Sequence, residues 1–251
     1  MNYYNQPFVK KVLIVIVILM NYSLWAQESI KTQDLEEVVV SSSRIDLPLS
    51  ENSRTITVIQ AEEIQKSAAT SLADLLQTVA GVDIRRRGAQ GMQADLYIRG
   101  GSFDQTLLLI DGIKVDDPQT GHHTMNIALP IELIERIEII KGPSARVFGQ
   151  NAFTGAINIV TKKNLEGTGV ATISGGSFGQ KNGALSLNLS NEKVNHIIHI
   201  SKNTSEGYRH NTDFDNLNAF YKSDFKMGSG DYTFQTAFSD RAFGANGFYA
   251  S

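Results

Sequence analysis

The 251-residue chain contains no cysteine, which excludes a lipoprotein anchor, a disulfide framework and a thiolate metal site. No apolar run is long enough to cross a bilayer as a helix, which takes about 20 residues. The run at residues 12–20 is nine residues long and stops at Asn21. Positive charge is not in excess, with 23 basic side chains against 26 acidic ones, so nothing points to nucleic acid as a partner. Catalytic constellations are missing as well: there is no Walker loop, no Gly-x-Ser-x-Gly elbow and no His-Glu-x-x-His helix. The five histidines, at 122, 123, 196, 199 and 210, have no spacing that assembles a triad, and the chain is not expected to be an enzyme.

What is present begins with an export signal. Lys10 and Lys11 form a basic n-region, residues 12–20 an apolar core, and residues 23–27 end in small side chains suited to cleavage after Ala26. Removing residues 1–26 takes away two of the 23 basic side chains and no acidic one, so the formal charge moves from −3 to −5. Behind the signal, residues 27–50 carry the segment Leu-Glu-Glu-Val-Val-Val-Ser-Ser-Ser-Arg at 35–44. Val38, Val39 and Val40 favour an extended backbone, which either adds to the sheet edge of a partner or is an ordinary edge strand.

Residues 51–163 read as a small α+β domain. Residues 54–60 alternate and are rich in Thr, Val and Ile, predicting a strand, and residues 61–66 a short helix. Thr70 and Ser71 are N-cap types ahead of Leu72, Leu75, Leu76 and Val79, which line one helical face, with Gly81 as the stop. Strands are expected at 82–85, 95–99, 107–110, 134–140 and 156–161, and Asp111-Gly112 turns the third of these back into 113–115 as a hairpin. Near residue 165 the pattern changes. From 164 to 251 the period is two, as in Leu185, Leu187 and Leu189 against Ser186, Asn188 and Ser190, the signature of transmembrane β-barrel strands or of a soluble sandwich. Turns at 191–193 and 228–230 are short, whereas the loops at 175–182 and 204–213 are long. Five strands are expected, too few to close.

The ordered series Asp74-Leu-Leu, Gly81-Val-Asp, Ile98-Arg-Gly-Gly, Leu109-Ile-Asp-Gly, Ile134-Glu-Arg-Ile-Glu, Lys141-Gly-Pro, Phe148-Gly and Gly155-Ala-Ile-Asn-Ile-Val-Thr resembles a TonB-dependent receptor plug. The resemblance runs from the coupling segment to the chain end, and it is nearest to the vitamin B12 type. It implies an α+β plug domain with a small mixed sheet, followed by antiparallel strands of an incomplete transmembrane β-barrel. Family barrels have about 22 strands, so the chain reads as the N-terminal portion of such a receptor. Only about eight residues separate Ala26 from the box, a spacing that disfavours the signalling and polysaccharide-importing subclasses.

The roles that follow are implied by the resemblance. Glu36, Glu37, Val38, Val39 and Val40 would be the TonB box, engaging TonB and its inner-membrane energising complex. Arg99 and Lys141 would pair with glutamates inside the barrel, with lysine standing where arginine is usual and giving up the bidentate fork. Arg87, Gln90 and Met92 in one loop, and His122, His123 and Met125 in another, would meet a scarce nutrient: cobalamin, or in the alternative an iron-siderophore. A purely structural role for both loops stays open. Asp213 and Asp215 resemble an acidic pair that holds calcium in vitamin B12 receptors, although calcium needs six to eight oxygens; no other cofactor is expected. The run Arg85-Arg86-Arg87 reads as a solvated charge run at a strand end, or as an attractor of anions. The expected location is the outer membrane of a Gram-negative bacterium, in contact with its lipid, after export through the Sec pathway. A secreted plug-like periplasmic binding module without transport is the reading from another class.

Overall fold

The computed structural model describes residues 39–40, 47–48, 56–88, 93–117, 119–142, 148–165 and 167–248, all in one compact unit that begins at Val38. The export signal and Glu36, Glu37 and Val38 lie outside the described residues, as do Gln90 and Met92. Val39–Val40 (β1) is extended, as its β-branched residues dictate, and pairs antiparallel with Leu47–Pro48 (β2).

Strand β3 (Ile56–Gln60) runs directly into helix α1 (Ala61–Lys66). Helix α2 (Leu72–Gln77) starts at a reciprocal cap: Ser71 Oγ accepts from Asp74 N at 3.2 Å, and Asp74 Oδ2 accepts from Thr70 N at 3.1 Å and from Ser71 Oγ at 2.8 Å. Its Leu72, Leu75 and Leu76 share one buried face, as their helical spacing requires. Strands β4 (Val82–Arg87) and β5 (Gln93–Ile98) form a separate antiparallel ribbon. The arginine run forms the exposed end of this strand, as the reading of a solvated charge run expects, and two of its three members are also engaged. Arg86 Nη2 meets Asp74 Oδ1 at 2.5 Å, and Arg85 bonds Asp83 at 3.0 Å with its guanidinium over the Tyr97 ring.

The remaining strands of the domain are β6 (Thr106–Ile110), β7 (Ile113–Val115), β8 (Ile134–Lys141) and β9 (Gly155–Thr161). They join β3 in a sheet of order β3-β8-β9-β6-β7, in which only the β6–β9 pair is parallel. Asp111 (φ 50) and Gly112 (φ 78) turn β6 into β7 with both central residues left-handed, the hairpin geometry that Asp-Gly favours. Strand β9 is covered on both faces, which explains why Gly-Ala-Ile-Asn-Ile-Val-Thr reads as a nearly continuous apolar run. Around it pack Leu76, Ile98, Leu108, Leu133, Ile137 and Ile139, each almost wholly buried.

The chain then forms an antiparallel meander: β10 (Gly169–Gly175), β11 (Lys181–Ser190), β12 (Val194–Ser205), β13 (Phe214–Met227) and β14 (Gly230–Phe243). Cross-strand register sorts its side chains into rows. One face carries Leu189, His196, Ser223 and Phe234, then Leu187, Ile198, Tyr221 and Thr236, then Leu185, Ile200, Ala219 and Phe238. Leu189, Phe234 and Phe238 are more than half exposed there. At the short-turn end this face gathers rings, with Phe225 stacked on Tyr232 and His196 stacked on Tyr221. At the other end it turns polar at Lys202, Asp215 and Asp240. From Tyr232 to Asp240 the apolar band is about 20 Å tall for a tilted strand, near the height of a barrel's lipid-facing belt. The opposite face is turned to the mixed sheet, and from it Ile197 and Phe220 join the core of the N-terminal domain.

Candidate functional site: a cleft and a seam

The inward rows of the meander meet the N-terminal domain in two ways. Towards the long loops, the rows Asn182, Asn203, Asn216, Arg241 and Ala184, Ser201, Asn218, Ser239 face helix α2 and residues 125–132 across a cleft of about 550 Å³. Its wall is rich in amides and hydroxyls. Ser239 Oγ donates to Asn218 Oδ1 at 2.8 Å, and Arg241 Nε donates to Ser239 Oγ at 2.8 Å. His199 lines the cleft one row further down, buried, with Nδ1 2.8 Å from Ser186 Oγ.

Towards the short turns the two parts are in contact. Of the row Asn188, Ile197, Lys222, Gln235, the last three reach the domain and Asn188 the segment just after it. Lys222, 4 % exposed, donates to Thr161 Oγ1 at 2.9 Å and to the Lys162 carbonyl at 3.2 Å, and lies 3.5 Å from Asp224 Oδ2. Asn195 and Asn188 donate to the carbonyls of Lys163 and Leu165. Gln235 bonds Asp111. Asp111 in turn accepts from Thr161 N at 2.8 Å and from Thr161 Oγ1 at 2.6 Å.

This seam continues into the mixed sheet. Asn158 Oδ1 accepts from Gly112 N at 2.9 Å, and Asn158 Nδ2 donates to Glu138 Oε2 at 3.1 Å. Glu138, wholly buried, also accepts from Arg136 Nε at 2.9 Å. None of these roles was read from the sequence, although Glu138 and Asn158 each interrupt an apolar strand, the one signal that could have singled them out.

The loop at 116–126 is held from within. Asp117 accepts from Thr120 Oγ1 at 2.8 Å and from the amides of Gln119 and His123, and these donors, the Thr120 hydroxyl foremost, hold its carboxyl at about 2. Gly121 lies against the Phe103 ring so closely that a Cβ would come within 2.8 Å of it. His122 packs on the same ring, at 4.3 Å between centroids, and places Nδ1 2.9 Å from the buried Asp95, which also accepts from Gln93. Of the expected ligand contacts, Arg87 and His123 are exposed, His122 is engaged by Asp95, and Met125 is buried at the cleft wall.

Arg99 ends β5 with φ 50, and its Nη1 would lie 3.7 Å from a Cβ at Gly142, which places it beside Lys141. Neither cation has an ion pair among the described residues. Asp215 is ion-paired with Lys202 on the outward face, and no cluster of three or more His, Cys, Asp or Glu occurs among the described residues. One carboxylate committed to a lysine and one beside it do not fit the oxygen-rich shell calcium requires.

Residues 48–156 match the TonB-dependent Receptor Plug Domain family. These residues form a TonB-dependent receptor plug. A 159-residue stretch is 37 % identical to the vitamin B12 transporter BtuB of Vibrio vulnificus, covering 63 % of this chain and 25 % of that protein. Among solved structures, Pseudomonas aeruginosa FpvA bound to heterologous pyoverdines superposes with a TM-score of 0.68 at 15 % identity, over 81 % of this chain and 27 % of that one. The ferric-catecholate import receptor Fiu of E. coli gives 0.60 at 25 % identity, over 77 % and 28 %. The chain thus spans about a quarter of the length of these relatives. The likeness to FpvA carries the fold alone, with the plug packed on the opening strands of a barrel.

Proposed function

We propose that this chain supplies the plug and first barrel strands of an outer-membrane receptor that imports a scarce nutrient, cobalamin or another corrinoid, with energy from TonB. The observation that carries the reading is the plug joined to strands whose apolar side chains point away from it, an arrangement useful only where the surroundings are hydrocarbon. The vitamin B12 reading rests on the 37 % identity to the Vibrio vulnificus transporter. In this reading the box at 36–40 adds as a strand to TonB, Arg99 and Lys141 pair with barrel glutamates, and the loops carrying Arg87, Gln90 and Met92 and His122, His123 and Met125 meet the ligand.

Uptake of labelled cyanocobalamin by a cobalamin-dependent host, with and without this gene and with and without TonB, tests it. Uptake that requires both supports the reading. Uptake of a ferric siderophore in its place would favour the second reading, which the fold likeness to siderophore receptors motivates. A product recovered only in the soluble periplasm would turn the assignment to a binding module without transport.

A further inference from the structure

We infer that Lys222 is a positioning residue that keeps plug and wall joined at the short-turn end throughout transport, so that this seam does not part when the plug is remodelled. The inference rests on the transport reading above. Lys222 donates to Thr161 Oγ1 and to the Lys162 carbonyl, and its charge faces the Asp224 carboxylate at 3.5 Å as an ion pair without a hydrogen bond. The partners lie on two bodies: Thr161 and Lys162 end the plug, whereas Asp224 belongs to the wall. Around this centre the wall takes up the carbonyls of Lys162, Lys163 and Leu165, where the plug leads into the wall, with a different inward side chain for each. Gln235 adds a contact to Asp111, which itself holds Thr161. Ile197 and Phe220, both buried in the plug's own core, close the apolar side of the same seam.

Parting plug from wall here would strip a buried cation of its partners and expose two core side chains. A charge left buried without its partner is among the most costly defects a fold can carry. The cleft on the long-loop side differs: its two inward rows are amides, hydroxyls and Arg241, and about 550 Å³ already separates them from helix α2. The structure therefore holds the two parts more strongly at the seam than at the cleft, where Arg241 Nη2 reaches across to the Ile127 carbonyl at 3.4 Å.

The test uses the receptor expressed from its own reading frame, with two readouts: TonB-driven uptake of labelled cyanocobalamin, and passive entry of a bulky antibiotic that an intact outer membrane excludes. Lys222→Met should raise passive entry by at least roughly tenfold, since it removes two hydrogen bonds from a charged donor and the loss of one is already worth about that factor, with receptor abundance in the membrane retained. Should that variant accumulate poorly, Gln235→Met removes the second wall contact without touching the buried charge and carries the same leak test. The decisive variant is Thr161→Cys combined with Lys222→Cys, joined by a short bifunctional thiol reagent; this chain has no native cysteine to compete. Linking should return the leak to the wild-type level and leave uptake running. Uptake abolished by the link, while reagent-treated wild type still transports, would overturn the inference, as would an unchanged leak in both single variants. Because the leak needs no ligand, a wild-type receptor that takes up neither cyanocobalamin nor a ferric siderophore would instead sink the transport reading alone.

Discussion

The two five-stranded sheets of this chain draw on the same apolar residue types and dispose of them in opposite ways. In the plug, Ile137, Ile139, Ile157 and Ile159 are fully buried, and strand β9 is covered on both faces. In the wall, Phe238 is 59 % exposed and Ile173 91 % exposed, while Ser186, Asn216 and Lys222 are buried. A sheet bathed in water could not keep that second arrangement, because each exposed ring would do better inside and each buried polar group would need a partner. What differs is the medium each face meets, and the wall's inverted pattern becomes ordinary once its outer face meets hydrocarbon.

The contrast can be broken at its strongest point first. Glu138→Ala should destabilise the plug by about 3–5 kcal/mol, since it removes the nearer of two carboxylate partners of the mostly buried Arg136, Glu135 staying at 3.3 Å, and the buried acceptor of Asn158; the midpoint of denaturant unfolding measures it. Removing buried bulk alone, in Ile137→Ala, should cost about 2–5 kcal/mol in the same assay. On the wall, Ile198→Arg should cost about 2–4 kcal/mol in liposomes, because the charge meets the middle row of the apolar band. The same substitution at the inward Asn218 should be far milder, and equal effects at the two positions would remove the basis for calling one face lipid-exposed.

Smaller effects sharpen the plug side. Ser71→Ala should cost about 1 kcal/mol by uncapping α2. Partial burial of Asp74 opposes its charge, but donors from Ser71, Arg86 and Thr70 outweigh this and hold its carboxyl below the usual range. Its contribution to stability is therefore full above the ordinary carboxyl pKa and lost as pH falls through the lowered one. Asp74→Asn should flatten that acid limb of the unfolding curve. The mildest change is Asp117→Asn, which withdraws the ionised acceptor from an exposed loop. It should increase proteolytic nicking around 117–123 at neutral pH without moving the global midpoint, and wild type should approach the same behaviour only as pH falls from the carboxyl range towards about 2.

Local structure was legible in the sequence where the signal is local. The Asp111-Gly112 turn, the Ser71 cap with Leu72, Leu75 and Leu76, and the two-residue period of the wall are each decided by neighbours a few residues away. Partnership was not. Nothing near Ile56 announces that it lies opposite Ile140, and nothing near Thr106 that it runs parallel to Gly155. The two-residue period puts Lys222 on the inward face, but a polar inward position means water in an open pore and a buried ion where a plug fills it. The arginine run at 85–87 is solvated at its strand end as read, but the partner of Arg86, Asp74, lies on another element and was not legible.

The distances along the chain that separate these partners also set the order in which the molecule can assemble. In the wall every strand pairs with the next one to be made, so each hairpin closes a short loop. In the plug, β3 waits for β8 and β6 waits for β9, so beyond the local β6–β7 hairpin its central sheet is not joined into one until Gly155–Thr161 has been synthesised. Non-local pairing of this kind folds slowly, because the entropy of closing a long loop is lost before any contact offsets it. A plug built in this way stays unfolded through most of its own synthesis, which is the condition a chain must keep to be threaded through a membrane before it folds.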